Sequence, residues 1–226
     1  MRPHVLYLHG FGSGPLTAKG VALGRRLTGL VASYSVPALD GGDFPNLTMD
    51  LIFARALAAV ERLPADGAPV VFVGSSLGGY SAAWLAATGT VPRLVGAVLI
   101  APAFSFARRW SVLLGDAGVA AWRRDGQRPF FHYQQQRELP LKTAFLDSCE
   151  RLPDAPGQAR DTAGRPLPIA IVHGRQDETV DHRVSLDYAG SRASVDLHLI
   201  DGDHRLTAPR HEDLITWATR DLIARI

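Results

Sequence analysis

Five residues, Gly74-Ser75-Ser76-Leu77-Gly78, separate the apolar run Pro69 to Val73 from a helix-like stretch, Gly79 to Ala87. A G-x-S-x-G sequence in that setting demands a turn so sharp that the serine hydroxyl stands clear of the sheet, with no room for a Cβ at Gly74 or Gly78. The pentapeptide alone is weak evidence in a chain with 22 glycines. Its context carries the reading: the β-branched run Val70-Val71-Phe72-Val73 leads straight in, and an Ala-rich segment of good helix propensity leads out. Ser76 is therefore the leading candidate for a reacting atom.

The same strand-then-helix rhythm runs along the chain. Strand candidates are Val5 to His9, Val31 to Val36, Val70 to Gly74, Leu94 to Ala101, Pro168 to His173 and Val195 to Ile200. Helix candidates are Thr17 to Leu27, Thr48 to Arg62, Leu77 to Ala87, Val184 to Ala189 and His211 to Ile226. Alternation of this kind predicts an α/β fold with a mostly parallel, doubly wound sheet covered on both faces, its active site at the carboxyl ends of the strands. A length of 226 residues and a hydrophobic content of 46% suit one domain, residues 1–226, with a sizeable core.

Residues 104–163 break the rhythm. They contain no convincing strand and carry Trp110, Trp122, Phe130, Phe131 and Tyr133. A structureless loop of that length does not suit a compact domain, so a helical insertion lying over the sheet as a lid is expected, with helices at Trp110 to Leu114, Val119 to Arg124 and Leu141 to Leu152. Its rings, with Phe104 and Trp110 as the candidate substrate-binding residues, would wall an acyl pocket or simply pack.

A reactive serine needs a base and an acid to orient the base. In this fold type they follow in the order serine, acid, histidine, on loops after later strands. His173-Gly174-Arg175-Gln176-Asp177 follows the strand Ile169 to Val172, and Asp201-Gly202-Asp203-His204 follows Val195 to Ile200. Asp177 is assigned as the acid and His204 as the base. Asp181 competes for the acid but adjoins a helix start, where capping is the plainer role, and Asp203 could orient the loop. His9 and His173 each precede a glycine at a strand end, where a structural hydrogen bond is the plainer reading. Two backbone N–H groups should hold the oxyanion: that of Leu77 and that of Phe11, in the flexible loop His9-Gly10-Phe11-Gly12-Ser13-Gly14-Pro15. This loop resembles a dinucleotide fingerprint, but Pro15 occupies the place of its third glycine.

Other features bound the partners. Net charge is +2 and the basic residues are scattered, so no nucleic-acid partner is indicated. The single cysteine, Cys149, permits no internal disulfide and no cysteine metal pair, and a buried structural thiol is expected there. No apolar run near the N-terminus is long enough for a signal core or membrane span, so the protein is read as soluble and cytoplasmic, with no membrane partner.

These residues also carry a family resemblance. The loop from His9 to Pro15 with Lys19-Gly20, Gly42-Asp43-Phe44 with Leu47-Thr48, Gly74 to Tyr80, Ala101-Pro102-Ala103-Phe104, Phe145-Leu146-Asp147 and His173 to Asp177 resemble the small YqiA-type esterases of the α/β-hydrolase superfamily. The likeness spans nearly the whole chain. It implies an α/β-hydrolase fold with a trimmed sheet of about six strands, and hydrolysis of short or medium acyl esters, or thioesters, with no metal or organic cofactor. A serine esterase working on a small-molecule ester through an acyl-enzyme, as a monomer or weak homodimer, is the leading expectation. A thioesterase, an acyltransferase or a non-enzymatic ligand sensor on the same fold are the alternatives.

Overall fold

The computed structural model describes residues 1–226. Six parallel strands form the central sheet: β1 (His4–Leu8), β2 (Ser33–Ser35), β3 (Val70–Ser75), β4 (Leu94–Ile100), β7 (Ile169–Gly174) and β8 (Val195–Ile200), in the order β2-β1-β3-β4-β7-β8. Helices α1 (Ala18–Arg26) and α7 (Pro209–Arg225) cover one face, and α2 (Met49–Glu61), α3 (Leu77–Thr88) and α6 (Arg183–Gly190) cover the other.

The pleat sorts the apolar strand residues. Val5, Tyr7, Val71, Val73, Ala170 and Val172 join Leu23 of α1, Leu27 just past its end, and Ile215, Ala218 and Leu222 of α7. Their neighbours Leu6, Leu8, Val70, Phe72, Ile169 and Ile171 join the α2 and α3 side chains on the opposite face. Burial on both faces is why these strands read as unbroken apolar runs rather than alternating ones. Connections from β1 run to β2 on one side, while β3 pairs with the other edge of β1, so the order reverses between β1 and β3 and opens a crevice at their carboxyl ends.

The insertion differs from the expected helical lid. Helix α4 (Arg109–Asp125), kinked at Gly115, leads into an antiparallel hairpin, β5 (Gln127–His132) and β6 (Arg137–Lys142), and then α5 (Ala144–Glu150). The expected helix from Leu141 therefore starts three residues later, because Leu141 and Lys142 end β6. Pro129 and Pro140 hide the hairpin from a sequence reading, since proline argues against a ladder. Here the two prolines face each other across a two-strand ribbon in which both strands are edges. Its turn, Tyr133 to Gln136, lacks the usual Gly or Asn signal and puts Gln136 at φ 52° instead.

Candidate active site

Ser76 sits at the hinge between β3 and α3 with φ 54° and ψ −116°, a conformation that L-residues seldom adopt. The surrounding bonds hold it there: Ser76 N–H donates to Ile100 O at 2.9 Å, and Ser76 O accepts from the N–H groups of Tyr80 and Ala103, each at 3.0 Å. The flanking glycines are required by contact. A Cβ on Gly74 would lie 2.2 Å from Gly78 O, and one on Gly78 would lie 2.0 Å from Leu8 O.

Asp177 comes from the loop after β7, and His204 from the loop after β8. The order places β8 three strand spacings from β3, about 14 Å at ordinary sheet geometry. An eight-residue excursion, 201–208, brings His204 back across that gap before α7 begins. Two bonds stitch the loops together: Arg175 N–H donates to Ile200 O at 2.7 Å and Gln176 N–H to Gly202 O at 3.0 Å.

The three side chains meet. His204 Nε2 lies 3.0 Å from Ser76 Oγ, and His204 Nδ1 lies 2.7 Å from Asp177 Oδ2. The carboxylate is also the acceptor for Thr179 and Val180 N–H at Oδ1, at 2.8 and 2.7 Å, and for His173 Nε2 at Oδ2, at 3.0 Å. Burial pushes the Asp177 carboxyl up, but the bonds from His173, His204 and Val180 N–H outweigh it and hold the group well below the usual carboxylate range. An acid pinned as an anion fixes the His204 proton on Nδ1, which leaves Nε2 bare toward the serine and able to take its proton.

Gly10 packs against Ser76, with an added Cβ only 3.5 Å from Ser76 Cβ, so the loop after β1 borders the hydroxyl. Phe11 N–H makes no backbone hydrogen bond, and Leu77, the first residue of α3, has no acceptor for its N–H within the helix. The Phe11 ring is the hub of an aromatic cluster, with centroids 5.4 Å from Phe44, 5.7 Å from Trp110, 5.5 Å from Phe130 and 5.4 Å from Phe145. Three of those four partners belong to the insertion. The hairpin tip grips the same loop: Tyr133 N–H donates to Gly12 O at 2.6 Å and Leu16 N–H to Gln134 Oε1 at 3.1 Å. Beneath it, His132 Nε2 meets buried Asp40 at 3.0 Å.

Other residues fall where their local roles would put them. Asp181 accepts from Arg183 N–H at the start of α6 at 2.9 Å, and Asp203 accepts from Arg205 and Leu206 N–H at 3.1 and 3.0 Å. Asp147 pairs with Arg123 at 2.8 Å within the insertion. His9 bonds Gly10 O at 3.0 Å and Leu39 N–H at 3.1 Å. Cys149 is buried, and burial pushes its thiol up to about 12, out of reach of nucleophilic use.

The two aromatic rings expected to wall an acyl pocket lie in the core. Phe104 packs on Tyr188 with a centroid separation of 4.6 Å, and Trp110 packs among Phe11, Trp122 and Phe130. The space beside the loop after β1 is lined by Phe11, Leu39, Asp40, Phe44, Leu47 and Leu77, among others, and has a volume of about 10 Å³, room for one water. No group of three or more His, Cys, Asp or Glu side chains is gathered as a metal site, and no helix is long and apolar enough to cross a membrane.

Two cations near Asp177 were given no role by the sequence. Lys19, in the first turn of α1, and Arg109, at the start of α4, are half-buried, without an ion pair or side-chain hydrogen bond, and both feel the Asp177 charge. Burial lowers the Lys19 pKa from 10.5 to about 8, although Asp203 and Asp177 oppose the shift. The folded value is below the unfolded one, so the unfolded chain holds a proton the folded chain releases between those two values. Stability from this group therefore rises with pH across that window, and its full cost is present below it. Lys19→Met should raise stability at pH 7 by about 1 to 3 kcal/mol, with the gain vanishing above pH 10. Thermal unfolding of both proteins at pH 7 and pH 10 measures it, and an equal gain at both values would contradict the sign.

The parallel sheet with its strand-turn-helix serine and returning histidine loop makes this chain a member of the α/β-hydrolase superfamily. Within it, the chain belongs to the Uncharacterised protein family (UPF0227), whose model matches residues 4–213. Among solved structures, a protein from Agrobacterium vitis S4 named as a candidate hydrolase superposes with a TM-score of 0.81 at 25% identity, over 98% of this chain and 88% of its own. A protein of the α/β superfamily from Xanthomonas campestris pv. campestris aligns over 100% of both chains at 26% identity and a TM-score of 0.63. A structure from work on LipS and LipT, two metagenome-derived lipolytic enzymes, shares the fold at 20% identity and a TM-score of 0.69, over 100% of this chain and 95% of its own. No protein with a curated description matches the sequence.

Proposed function

We propose that the chain is a serine hydrolase that cleaves carboxylic esters of short or medium acyl chains through an acyl-enzyme. The single observation that carries the reading is the unbroken hydrogen-bonded chain from Ser76 Oγ through His204 to Asp177, at 3.0 and 2.7 Å. Ser76 Oγ attacks the ester carbonyl while His204 Nε2 takes its proton. The N–H groups of Phe11 and Leu77 receive the oxyanion, and each such donor contributes on the order of 3 kcal/mol because the charge develops only in the transition state. The alcohol leaves with the proton from His204. Water then attacks the acyl group by the same route in reverse. The likeness to two proteins named within the hydrolases supports this class.

The space beside Phe11 and Leu77 has room for one water, so an acyl group placed there must displace part of the aromatic cluster, and each added methylene displaces more. Thioesterase or acyltransferase chemistry would use the same three side chains. Steady-state hydrolysis of p-nitrophenyl esters of increasing chain length, on the wild type beside Ser76→Ala, tests the reading. Turnover that peaks at short chains and collapses in the variant is expected. Slow single turnover, or activity that survives the substitution, would send the reading to a ligand sensor or another nucleophile.

A further inference from the structure

Asp177 Oδ2 serves two histidines. His204 Nδ1 approaches it at 2.7 Å and His173 Nε2 at 3.0 Å, and His173 Nε2 also faces Val180 O at 3.0 Å. Two acceptors at one nitrogen place the His173 proton on Nε2, so its Nδ1 accepts from the Ser185 hydroxyl at 2.7 Å. The side chains of His173 and Asp177 are fully shielded from solvent. A continuous chain therefore runs from Ser185 in α6 through His173 in β7, Asp177 and His204 to Ser76. Nothing in the ester reaction itself requires its first two members.

We propose that His173 is a positioning residue that sets the basicity of His204 by sharing one carboxylate oxygen with it. A donor on Oδ2 draws charge from the oxygen that stabilises the His204 imidazolium, and the same bond stops the carboxylate from rotating away. Removing the donor makes the carboxylate a stronger partner for the protonated imidazole, so the pH at which His204 becomes available as a base moves up. The other charges around the pair are Lys19 from α1, Arg109 from α4, and Asp203 and Arg205 on the His204 loop itself. All four remain in place when only His173 changes, so a shift reports the shared oxygen.

The inference rests on the serine-hydrolase reading, and the experiment separates the two. Labelling of Ser76 by a fluorophosphonate is followed against pH. The Oγ–P bond forms, fluoride leaves, and His204 takes the hydroxyl proton, so the rate reports the base whatever the natural substrate is. Three variants are compared with the wild type: His173→Gln, whose amide donor replaces Nε2; His173→Asn, whose donor falls at the Nδ1 position; and His173→Leu, which has none. The acid limb of the rate should rise by about half to one pH unit in His173→Asn and His173→Leu and stay near wild type in His173→Gln. Ester turnover measured below the wild-type acid limb should lose kcat by about three- to tenfold in the two shifted variants with KM unchanged. Should His173→Leu fail to fold, as read by thermal unfolding, the near-isosteric Gln and Asn pair carries the test. Acid limbs that coincide in Asn, Gln and wild type would overturn the proposal while leaving the hydrolase reading standing. A wild type that neither labels nor turns over an ester would remove both.

Discussion

Ser76→Ala should lower kcat for a short p-nitrophenyl ester by about five to six orders of magnitude while the protein keeps its fold. Alanine keeps the Cβ, so the strain of a residue at φ 54° is the same in both proteins and the thermal midpoint should move little. The backbone bonds that hold the elbow, from Ser76 N–H to Ile100 O and from Tyr80 and Ala103 to Ser76 O, do not involve the hydroxyl. Only the atom 3.0 Å from His204 Nε2 is lost. Residual hydrolysis would come from water held near the oxyanion donors, and burst-phase acyl-enzyme should disappear entirely. A loss smaller than about a thousandfold would mean that another group attacks the carbonyl.

Asp177→Asn should cost about four orders of magnitude in kcat, by a different route. Thr179 and Val180 N–H donate to Oδ1 at 2.8 and 2.7 Å and will keep the amide oxygen there. The amide nitrogen then occupies the place of Oδ2, where two histidines already present N–H groups. To accept from the amide, His204 must carry its proton on Nε2, the nitrogen that faces Ser76, and it can then no longer take the serine proton. His173 would also have to give up its bond to Val180 O, 3.0 Å away. The expected signature is a collapsed kcat with a nearly unchanged KM. A loss of tenfold or less would mean that Asp177 does not supply the acid.

The elbow and its partners were legible because each depends on chain order at a strand end, which a sequence displays directly. Gly74 and Gly78 stand where a Cβ would strike backbone, and Asp177 and His204 follow β7 and β8. Less legible was anything set by distance across the fold. His173 reads as an ordinary strand-end histidine, and only the turn from Gly174 to Val180 brings its Nε2 onto the carboxylate. The hairpin stayed hidden because its prolines oppose strand formation except at edges, and nothing in the sequence says that both of its strands are edges. Phe104 and Trp110 look like pocket walls in sequence, but aromatic composition does not say which side of a ring is already covered.

The Phe11 hub joins two properties that mutation usually varies apart. Its N–H is the oxyanion donor proposed above, and its ring is wedged against Phe44, Phe130 and Phe145, beside the one-water space that Phe11 lines with Phe44 and Leu77. Trimming any of those rings to admit a bulkier acyl group frees Phe11 to shift, and the N–H shifts with it. On the ester reaction proposed above, selection for bulkier acyl groups in this scaffold would trade range against speed at the first step.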